Sequence, residues 1–332
     1  MRVRLMFGTV LVVGLGTLAL GQATKARLNP VIGLLEQKKP VFGLYAPSNR
    51  RFPGAQPAAA DTPPKTPAEL AKDALGYSNG DFVFDGSMEG SFERGFGPYS
   101  EFVKGLAQGG GIFTKLPAHR LHHPLIVKAP EIAPDPVKVG QQIGQQLNLG
   151  VSGVMFVSVE SADEVKQGLA AMRFKSKGGT RGEDVGSAPA MWGLSEAEYK
   201  AKADLWPLNP DGELINWTIV ESKPGLANVR EIAAVKGIGV LWPGAGTLRQ
   251  VFTETDANGQ KKLDEAGWEA AIQQVLAACK EFNVPCGYPA SEKDIEMRMK
   301  QGFSVFVMSW GDAGFRTVDL GRKLSGRTDT SR

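Results

Sequence analysis

The sequence predicts an α/β fold, specifically a TIM (β/α)8 barrel with long loops on its active face. Apolar runs of strand length alternate with helical patterns along the 332-residue chain, giving about eight strands. Residues 217–248 form one clear strand–helix–strand unit, in which the first run ends at Glu221 and the second, 239–242, leads into the small residues 243–246. No Gly-x-Gly-x-x-Gly motif follows the first strand, which disfavours the alternative of a doubly wound open sheet.

The predicted strands are short apolar runs bounded by turn residues, and the predicted helices have helical spacing of apolar residues or N-terminal capping residues. The strands cover residues 41–45, 81–85, 125–129, 153–157, 217–220, 239–242, 284–288 and 303–308. The helices cover residues 29–36, 67–75, 100–108, 137–147, a segment opening at Ser161, 194–203, 224–237, 264–280, 292–301 and 314–324.

Two long insertions interrupt this alternation. Residues 46–67 are rich in Pro, Ala and Thr without periodicity, and residues 183–213 are only partly helical. Long irregular segments in a compact domain are usually binding loops, lids or disordered regions. We expect both insertions to lie near the active face and to shape the pocket.

Length and charge narrow the function classes. We predict one barrel domain over residues 24–332, although a chain of 332 residues also has room for two smaller domains. The 38 basic and 35 acidic residues nearly balance, with a net charge of +3. No dense basic run with interleaved aromatic residues occurs, so nucleic acid is not an expected partner.

The N-terminus is typical of a secretory signal peptide over residues 1–23. Arg2 and Arg4 precede an apolar stretch over residues 5–20, and Gly21 and Ala23 form a small-x-small cleavage pattern. We therefore predict an exported protein, periplasmic or secreted, without a membrane span after cleavage; a single membrane anchor is the alternative. In an oxidising compartment Cys279 and Cys286 could form a disulfide, and two buried thiols are the other interpretation.

Chemically capable side chains stand where predicted strands end. In a parallel barrel these ends share one face, where sites are built. Carboxylates there can act as acid and base or bind a divalent metal, an ammonium can bind a substrate carboxylate, and glycine-rich turns can present backbone N–H groups to an anion. These candidates are Asp85, Glu89, Lys128, Asn148, Glu221, Gly244, Ala245, Gly246 and Thr247. The three histidines, at 119, 122 and 123, precede a strand and so indicate a polar loop rather than a metal site.

Several motifs together resemble the HpcH/HpaI aldolase and citrate lyase family over roughly residues 28–325. They are the runs at residues 81–93, 124–130, 147–161, 172–182 and 220–248, which match in order and spacing. The resemblance implies a TIM barrel that makes or breaks carbon–carbon bonds beside a 2-oxo acid or acyl thioester, with Mg²⁺ or Mn²⁺ stabilising an enolate. It also implies a homo-oligomer, a trimer or hexamer.

When the site residues of the family are matched to this sequence one by one, some are kept and others are replaced. Glu221 matches the first metal-binding carboxylate, but Thr247 stands where the second, an Asp, is expected, so the resemblance implies weakened metal binding. Lys128 matches an Arg that binds the oxo group, and Glu89 stands near the position of a basic His. Asn148 matches an Asp beside that base.

Two functions are compatible with this set. The first is an exported carbon–carbon lyase with Glu89, Lys128 and Asp85 as catalytic residues and Glu221 as metal ligand. Its substrate, a small 2-oxo acid, carboxylate or carbonyl compound, would be bound by Lys128, Gly244, Ala245, Gly246 and Thr247. The second is a non-catalytic binding protein for small carboxylates on the same barrel.

Overall fold

The computed structural model describes residues 26–49 and 63–327. The predicted signal peptide therefore lies outside the described residues, as does most of the first insertion. Within the described ranges, no helix combines the length and the apolar character needed to cross a membrane.

A parallel sheet dominates the structure. The strands in chain order are β1 Val41–Tyr45, β2 Val83–Asp85, β3 Phe113–Thr114, β4 Arg120–Leu121, β5 Leu125–Lys128, β6 Gly153–Phe156, β7 Leu205–Trp206, β8 Leu214–Val220, β9 Ile238–Pro243, β10 Thr253–Thr255, β11 Lys261–Leu263, β12 Gly287–Pro289 and β13 Val305–Met308. The sheet order is β12-β13-β1-β2-β5-β6-β8-β7, with β9 also paired to β8, and every pair in it is parallel. The pairs β3–β4 and β10–β11 are separate antiparallel hairpins.

The sheet is curled, in the manner of a TIM barrel. Strand β9 is linked to the segment entering β12 by one parallel bridge, Leu241 to Cys286, and by a 2.9 Å hydrogen bond from the Leu241 N–H to the Pro285 carbonyl. The predicted strand–helix–strand unit is present as β8 and β9 with helices between them.

Helices connect successive strands. They are α1 Pro30–Glu36, α2 Pro67–Gly76, α3 Phe92–Gly109, α4 Pro136–Asn148, α5 Ala162–Met172, α6 Ala188–Trp192, α7 Glu196–Lys202, α8 Lys223–Ala227, α9 Val229–Ala233, α10 Ala245–Val251, α11 Glu265–Glu281, α12 Ile295–Gln301 and α13 Asp312–Leu324, with a short 3-10 turn at Lys175–Lys177. Helix α3 is longer than predicted because the Ser91 side chain caps it, accepting the Arg94 N–H, and because Pro98 and its glycines are accommodated inside the helix.

The core has two parts, which are the two faces of the sheet. Inside the curl, aromatic rings stack on one another: Trp217 lies between Phe84, at 5.8 Å, and Trp242, at 5.5 Å. Outside, the helices pack their apolar faces on the sheet, with Phe156, Phe306 and Leu241 among the fully buried residues. The interior is therefore a packed core, and a site in such a fold lies at the carboxyl ends of the strands.

The first insertion is closed at its base by a reciprocal pair. The Asn49 side chain donates to the Lys65 carbonyl at 2.7 Å and accepts the Lys65 N–H at 2.9 Å. Asn49 follows β1, so this insertion leaves the carboxyl end of the sheet, as predicted.

The prediction that residues 183–213 also lie near the active face is wrong. This insertion follows α5, which runs back to the amino-terminal ends of the strands, and it leads into the start of β8. Its strand β7 pairs with that start, Leu205 opposite Leu214. Its last residue, Glu213, accepts the backbone N–H groups of Leu28 and Asn29, ahead of β1. It therefore covers the end of the sheet opposite the site.

The two cysteines are paired. Cys279, near the end of α11, and Cys286, just before β12, form a disulfide with a Cα–Cα distance of 5.7 Å. Of the two interpretations left open by the sequence, the structure has the disulfide.

Candidate active site

The carboxyl end of the curled sheet gathers polar side chains from several strands. Because all pairs in the sheet are parallel, the residues that end or follow β1, β2, β5, β8 and β9 lie at this one end. They are Tyr45, Asp85, Lys128, Glu221 and the turn that opens α10. Except for Tyr45, all are residues that the sequence indicated.

Lys128 and Glu89 form an ion pair at this end. The Lys128 Nζ donates to both carboxylate oxygens of Glu89 at 2.8 Å. The Lys128 side chain is only 13% exposed, whereas Glu89 is 36% exposed. Burial lowers the pKa of the Lys128 ammonium, but the charges of Glu89, Tyr45 and Glu221 together with the hydrogen bonds to Glu89 outweigh burial, and the net effect is a pKa above the ordinary value. Lys128 is thus a fixed cation whose partner faces solvent.

Gly86 lies beside this pair. A Cβ placed on Gly86 would lie 3.5 Å from the Lys128 Cδ and 3.9 Å from both the Glu89 Oε2 and the Tyr45 Cε1. The side chains of Tyr45, at the end of β1, Lys128, at the end of β5, and Glu89, in the turn that follows β2, therefore meet beside Gly86.

Tyr45 is a site residue that the sequence did not indicate. Its ring packs edge-on against Phe84 at 5.1 Å. Burial raises the pKa of the Tyr45 hydroxyl, the Lys128 charge opposes that rise, and the charges of Glu89, Asp85 and Glu221 add to it. All four predicted charged residues therefore lie close enough to Tyr45 to act on it electrostatically. A tyrosine that ends an apolar strand looks like an ordinary β-former in the sequence, so no signal separated it.

Glu221 is held rigidly at the end of β8. It is 5% exposed, and its Oε1 accepts the Ser158 N–H at 3.0 Å and the Ser158 hydroxyl at 3.4 Å. Ser158 has a left-handed backbone conformation, with φ 51°. A Cβ on Gly244 would lie 2.6 Å from the Glu221 Oε2, so only glycine fits beside this carboxylate.

The turn that opens α10 differs from the predicted anion cradle in one group. The Gly244 N–H donates to the Val220 carbonyl at 2.9 Å and is therefore not available to a ligand. The predicted cradle is reduced to the first-turn N–H groups of Ala245, Gly246 and Thr247. Gly246 and Thr247 are exposed, and Ala245 is buried.

The residues at this end do not fit the two-carboxylate metal site that the family resemblance implies. A hard divalent cation needs several oxygen ligands that converge on one point. Thr247 replaces one carboxylate, Glu221 is hydrogen-bonded to Ser158, and Glu89 is bound to Lys128. No cluster of three or more His, Cys, Asp or Glu residues among those described could hold a metal ion.

Asn148 does not belong to this site, contrary to the residue-by-residue transfer. It ends α4, at the amino-terminal end of the strands, where its side chain donates to Asp184 at 2.8 Å and accepts from Arg181 at 2.8 Å. A residue that precedes a strand in a parallel sheet lies at the opposite face from one that follows it.

Gln146 is a supporting residue that sequence reasoning missed. It is fully buried on α4, and its side-chain amide donates to the Lys128 carbonyl at 3.0 Å. Because this bond holds the backbone of Lys128, Gln146 helps to fix the direction of the cation. A glutamine on the inner side of a helix gave no sequence signal for this role.

A cavity of about 340 Å³ lies beside Asp85 and is also lined by Ser87, Arg94 and Tyr99. Its volume suits a small ligand. The Asp85 Oδ1 accepts the Ser87 N–H at 2.7 Å, which orients the carboxylate at the cavity edge. A larger cavity of about 950 Å³, lined in part by Lys236 and Cys286, lies at the amino-terminal ends of the strands, away from this chemistry.

Comparison with known proteins identifies the family of this chain. The sequence model of the HpcH/HpaI aldolase/citrate lyase family matches residues 111–306. The chain belongs to this family. The matched segment includes Lys128 and Glu221.

Two characterised relatives are aldolases. The 2-dehydro-3,6-dideoxy-6-sulfogluconate aldolase of Pseudomonas putida is 25% identical over 160 residues, which are 48% of this chain and 57% of that relative. The 5-keto-4-deoxy-D-glucarate aldolase of Klebsiella pneumoniae subsp. pneumoniae is 25% identical over 177 residues, 53% of this chain and 64% of that relative. This chain thus matches less than two thirds of the length of each.

Solved structures share the fold. An HpcH/HpaI aldolase/citrate lyase family protein from Burkholderia cenocepacia J2315 superposes with a TM-score of 0.61 at 19% identity, covering 91% of this chain and 100% of that one. The citrate synthase SbnG superposes with a TM-score of 0.56 at 15% identity, covering 88% and 95%. At these identities the likeness establishes the fold alone.

Proposed function

We propose that this protein is a carbon–carbon lyase of the aldolase type, acting on a small 2-oxo acid, carboxylate or carbonyl compound through an enolate. The observation that carries the proposal is the Lys128–Glu89 pair at the carboxyl end of the sheet, with Nζ 2.8 Å from both carboxylate oxygens. Membership in a family that includes aldolases supports it.

The pair suits cleavage of a 4-hydroxy-2-oxo acid. Glu89, the more exposed partner, removes the proton of the C4 hydroxyl. The C3–C4 bond breaks and releases an aldehyde, while its electron pair forms the C2–C3 double bond and leaves negative charge on the C2 oxygen. The Lys128 ammonium donates a hydrogen bond to that oxygen. Protonation at C3 then restores the C2 carbonyl.

Other groups at the same end would position the substrate. The N–H groups of Ala245, Gly246 and Thr247 belong to the first turn of α10. They can bind the carboxylate of the substrate. Asp85 stands at the mouth of the 340 Å³ cavity, where the distal part of the substrate or an attacking group would lie. Tyr45 can donate its hydroxyl proton beside Lys128, since its raised pKa keeps it protonated.

Exchange of C3 protons tests enolate formation directly. Pyruvate is incubated with the enzyme in D₂O, and loss of the methyl signal is followed by NMR, alongside product analysis for a panel of 4-hydroxy-2-oxo acids. We expect exchange by the native protein and a loss of about 100-fold or more in Glu89→Gln, the range for removal of a general base.

The matched control is Glu93→Gln, an exposed glutamate that pairs with Lys138 on the surface. It should leave exchange unchanged. Calorimetric binding of oxo acids without exchange or products would contradict the proposal and favour the binding-protein alternative.

Three further properties are proposed alongside this activity. We propose that the sheet closes into a complete barrel across the Leu241–Cys286 bridge, that the chain is exported, and that it forms a homo-oligomer, a trimer or hexamer. The disulfide between Cys279 and Cys286 supports export, because paired thiols persist in oxidising compartments.

A further inference from the structure

The carboxylates at the carboxyl end of the sheet are each engaged by a different protein group. Both oxygens of Glu89 accept from the Lys128 Nζ, at 2.8 Å each. The Asp85 Oδ1 accepts the Ser87 N–H at 2.7 Å, and the Glu221 Oε1 accepts the Ser158 N–H at 3.0 Å. These bonds direct the three carboxylates to separate partners, whereas a divalent cation needs oxygens that point at one centre.

In place of a metal ion, a side chain of the protein, that of Lys128, supplies positive charge at this end of the sheet. The Lys128 side chain is 13% exposed and stands on the last residue of β5. The Gln146 side-chain amide donates to the Lys128 carbonyl at 3.0 Å, and Gly86 lies beside the Lys128 side chain. A cation fixed by its surroundings before the ligand arrives is the arrangement that stabilises developing negative charge best.

We propose that the Lys128 ammonium takes the place of the divalent metal of the family, so that the chain binds a planar oxo acid or enolate, and turns it over, without metal. The turnover part of this inference rests on the proposed lyase function, whereas the binding part does not. On binding, the ligand oxygen replaces one of the two Glu89 oxygens on Nζ. The freed, solvent-facing carboxylate then becomes available as the base.

Oxalate is the probe for binding, because this planar dianion resembles the enolate of a 2-oxo acid. Its affinity is measured by calorimetry on protein treated with EDTA and again with Mg²⁺ or Mn²⁺ added. We expect equal affinity in both conditions. Lys128→Met should weaken oxalate binding about 10- to 100-fold, the range for loss of a hydrogen bond to a charged group, and Lys128→Arg should restore most of it.

Lys104→Met is the matched control, since Lys104 is an exposed lysine paired with Glu101 on the outside of α3. It removes the same charge and should leave oxalate affinity unchanged. Circular dichroism and thermal melts verify that each variant is folded.

The outcomes separate this inference from the lyase proposal. Oxalate binding in EDTA that is lost in Lys128→Met supports the inference even if no substrate is cleaved. Binding that requires Mg²⁺ or Mn²⁺, or no binding in either condition, overturns it. Proton exchange in pyruvate that proceeds in EDTA supports both proposals, and exchange that appears only with metal supports the lyase and overturns the inference.

Discussion

At the scale of residues, the site is an altered form of a family arrangement. Thr247 carries a hydroxyl where the family resemblance places a carboxylate, and Lys128 carries a point charge in place of a guanidinium fork. These two differences are consistent with each other. A site that loses an anionic metal ligand loses affinity for the metal, and a buried ammonium supplies charge that no longer depends on it.

Restoring the carboxylate should restore metal binding. In Thr247→Asp, two carboxylates would flank the Gly244 turn, and we expect 10 mM Mn²⁺ to raise the melting temperature by about 2 °C, the shift for roughly 1 kcal/mol in a chain of this size. Thr247→Asn, which has the same shape without the charge, should show no shift. A shift in the native protein as large as in Thr247→Asp would contradict this expectation.

The sequence predicts some site residues and not others for physical reasons. Glu221 and Lys128 are charged residues directly at the ends of apolar strands, a pattern that local sequence reveals. Tyr45 and Gln146 contribute through packing across strands and helices, which no local pattern encodes. Asn148 was wrongly placed because a family match assigns a residue type and not the end of the sheet at which it lies.

At the scale of elements, the strands of the main sheet were predictable except β7, and the short hairpins were not. Each of the eight predicted runs overlaps an observed strand, because buried parallel strands are continuous apolar segments. The pairs β3–β4 and β10–β11 were missed, since they are two or three residues long and are polar or partly exposed. The second insertion packs buried apolar residues such as Trp192 and Tyr199 into the core, and polar contacts hold it as well.

Asp204 anchors that insertion. It is 3% exposed and accepts from Arg173 at 2.7 Å and from the Asn209 side chain at 3.0 Å. Burial raises the pKa of the Asp204 carboxyl, but these hydrogen bonds and that from the Leu205 N–H outweigh burial, so its pKa is below the ordinary value.

We therefore expect Asp204→Asn to reduce the free energy of unfolding by about 2 kcal/mol at pH 6. A depressed carboxyl pKa gives stability above the unfolded pKa of about 3.9 and loses it as the pH falls through the lower folded value. The difference between native and variant protein should thus vanish in strong acid. Urea titrations across pH measure it, with Asp163→Asn, an exposed pair with Lys166, as control. A difference independent of pH would contradict the assignment to ionised Asp204.

At the scale of the whole molecule, the C-terminal end of the described chain is tied to the first strands of the sheet. Arg327, its last described residue, donates two hydrogen bonds to Asp81, at 2.8 and 2.6 Å, and one to the Pro40 carbonyl at 2.7 Å. Asp81 also accepts the Phe42 N–H at 2.9 Å. The C-terminal segment is thus tied to the starts of β1 and β2, at the end of the sheet opposite the site.

Breaking this tie should destabilise the fold without changing the site. Asp81 is 4% exposed, so Asp81→Asn leaves Arg327 without its ionic partner, and we expect a loss of about 3 kcal/mol in unfolding free energy. Oxalate affinity of the folded variant should be unchanged. Asp319→Asn, an exposed aspartate that pairs with Asn79 nearby, is the control. Weaker oxalate binding by Asp81→Asn would show that the two ends of the sheet are coupled.

Properties beyond the single chain remain predictions at this scale. The α/β fold with a curled parallel sheet follows from local patterns repeated along the chain, and the family match agrees with it. The predictions that remain are one-domain organisation over residues 24–332, export, and assembly into trimers or hexamers. Export depends on processing of the chain, and assembly depends on other copies of it. Mass spectrometry of the purified protein tests export, and sedimentation tests assembly.

The Asn49–Lys65 pair makes the carboxyl end of β1 a natural point for engineering. Two reciprocal hydrogen bonds join Asn49 to Lys65, so a segment inserted between these two residues begins and ends at one point. Doubling the length of a flexible loop costs only about 0.6 kcal/mol. A binding peptide or a randomised library inserted there would start and finish at the end of the sheet that carries Lys128 and Glu221, which offers a way to add new substrate selectivity to this barrel.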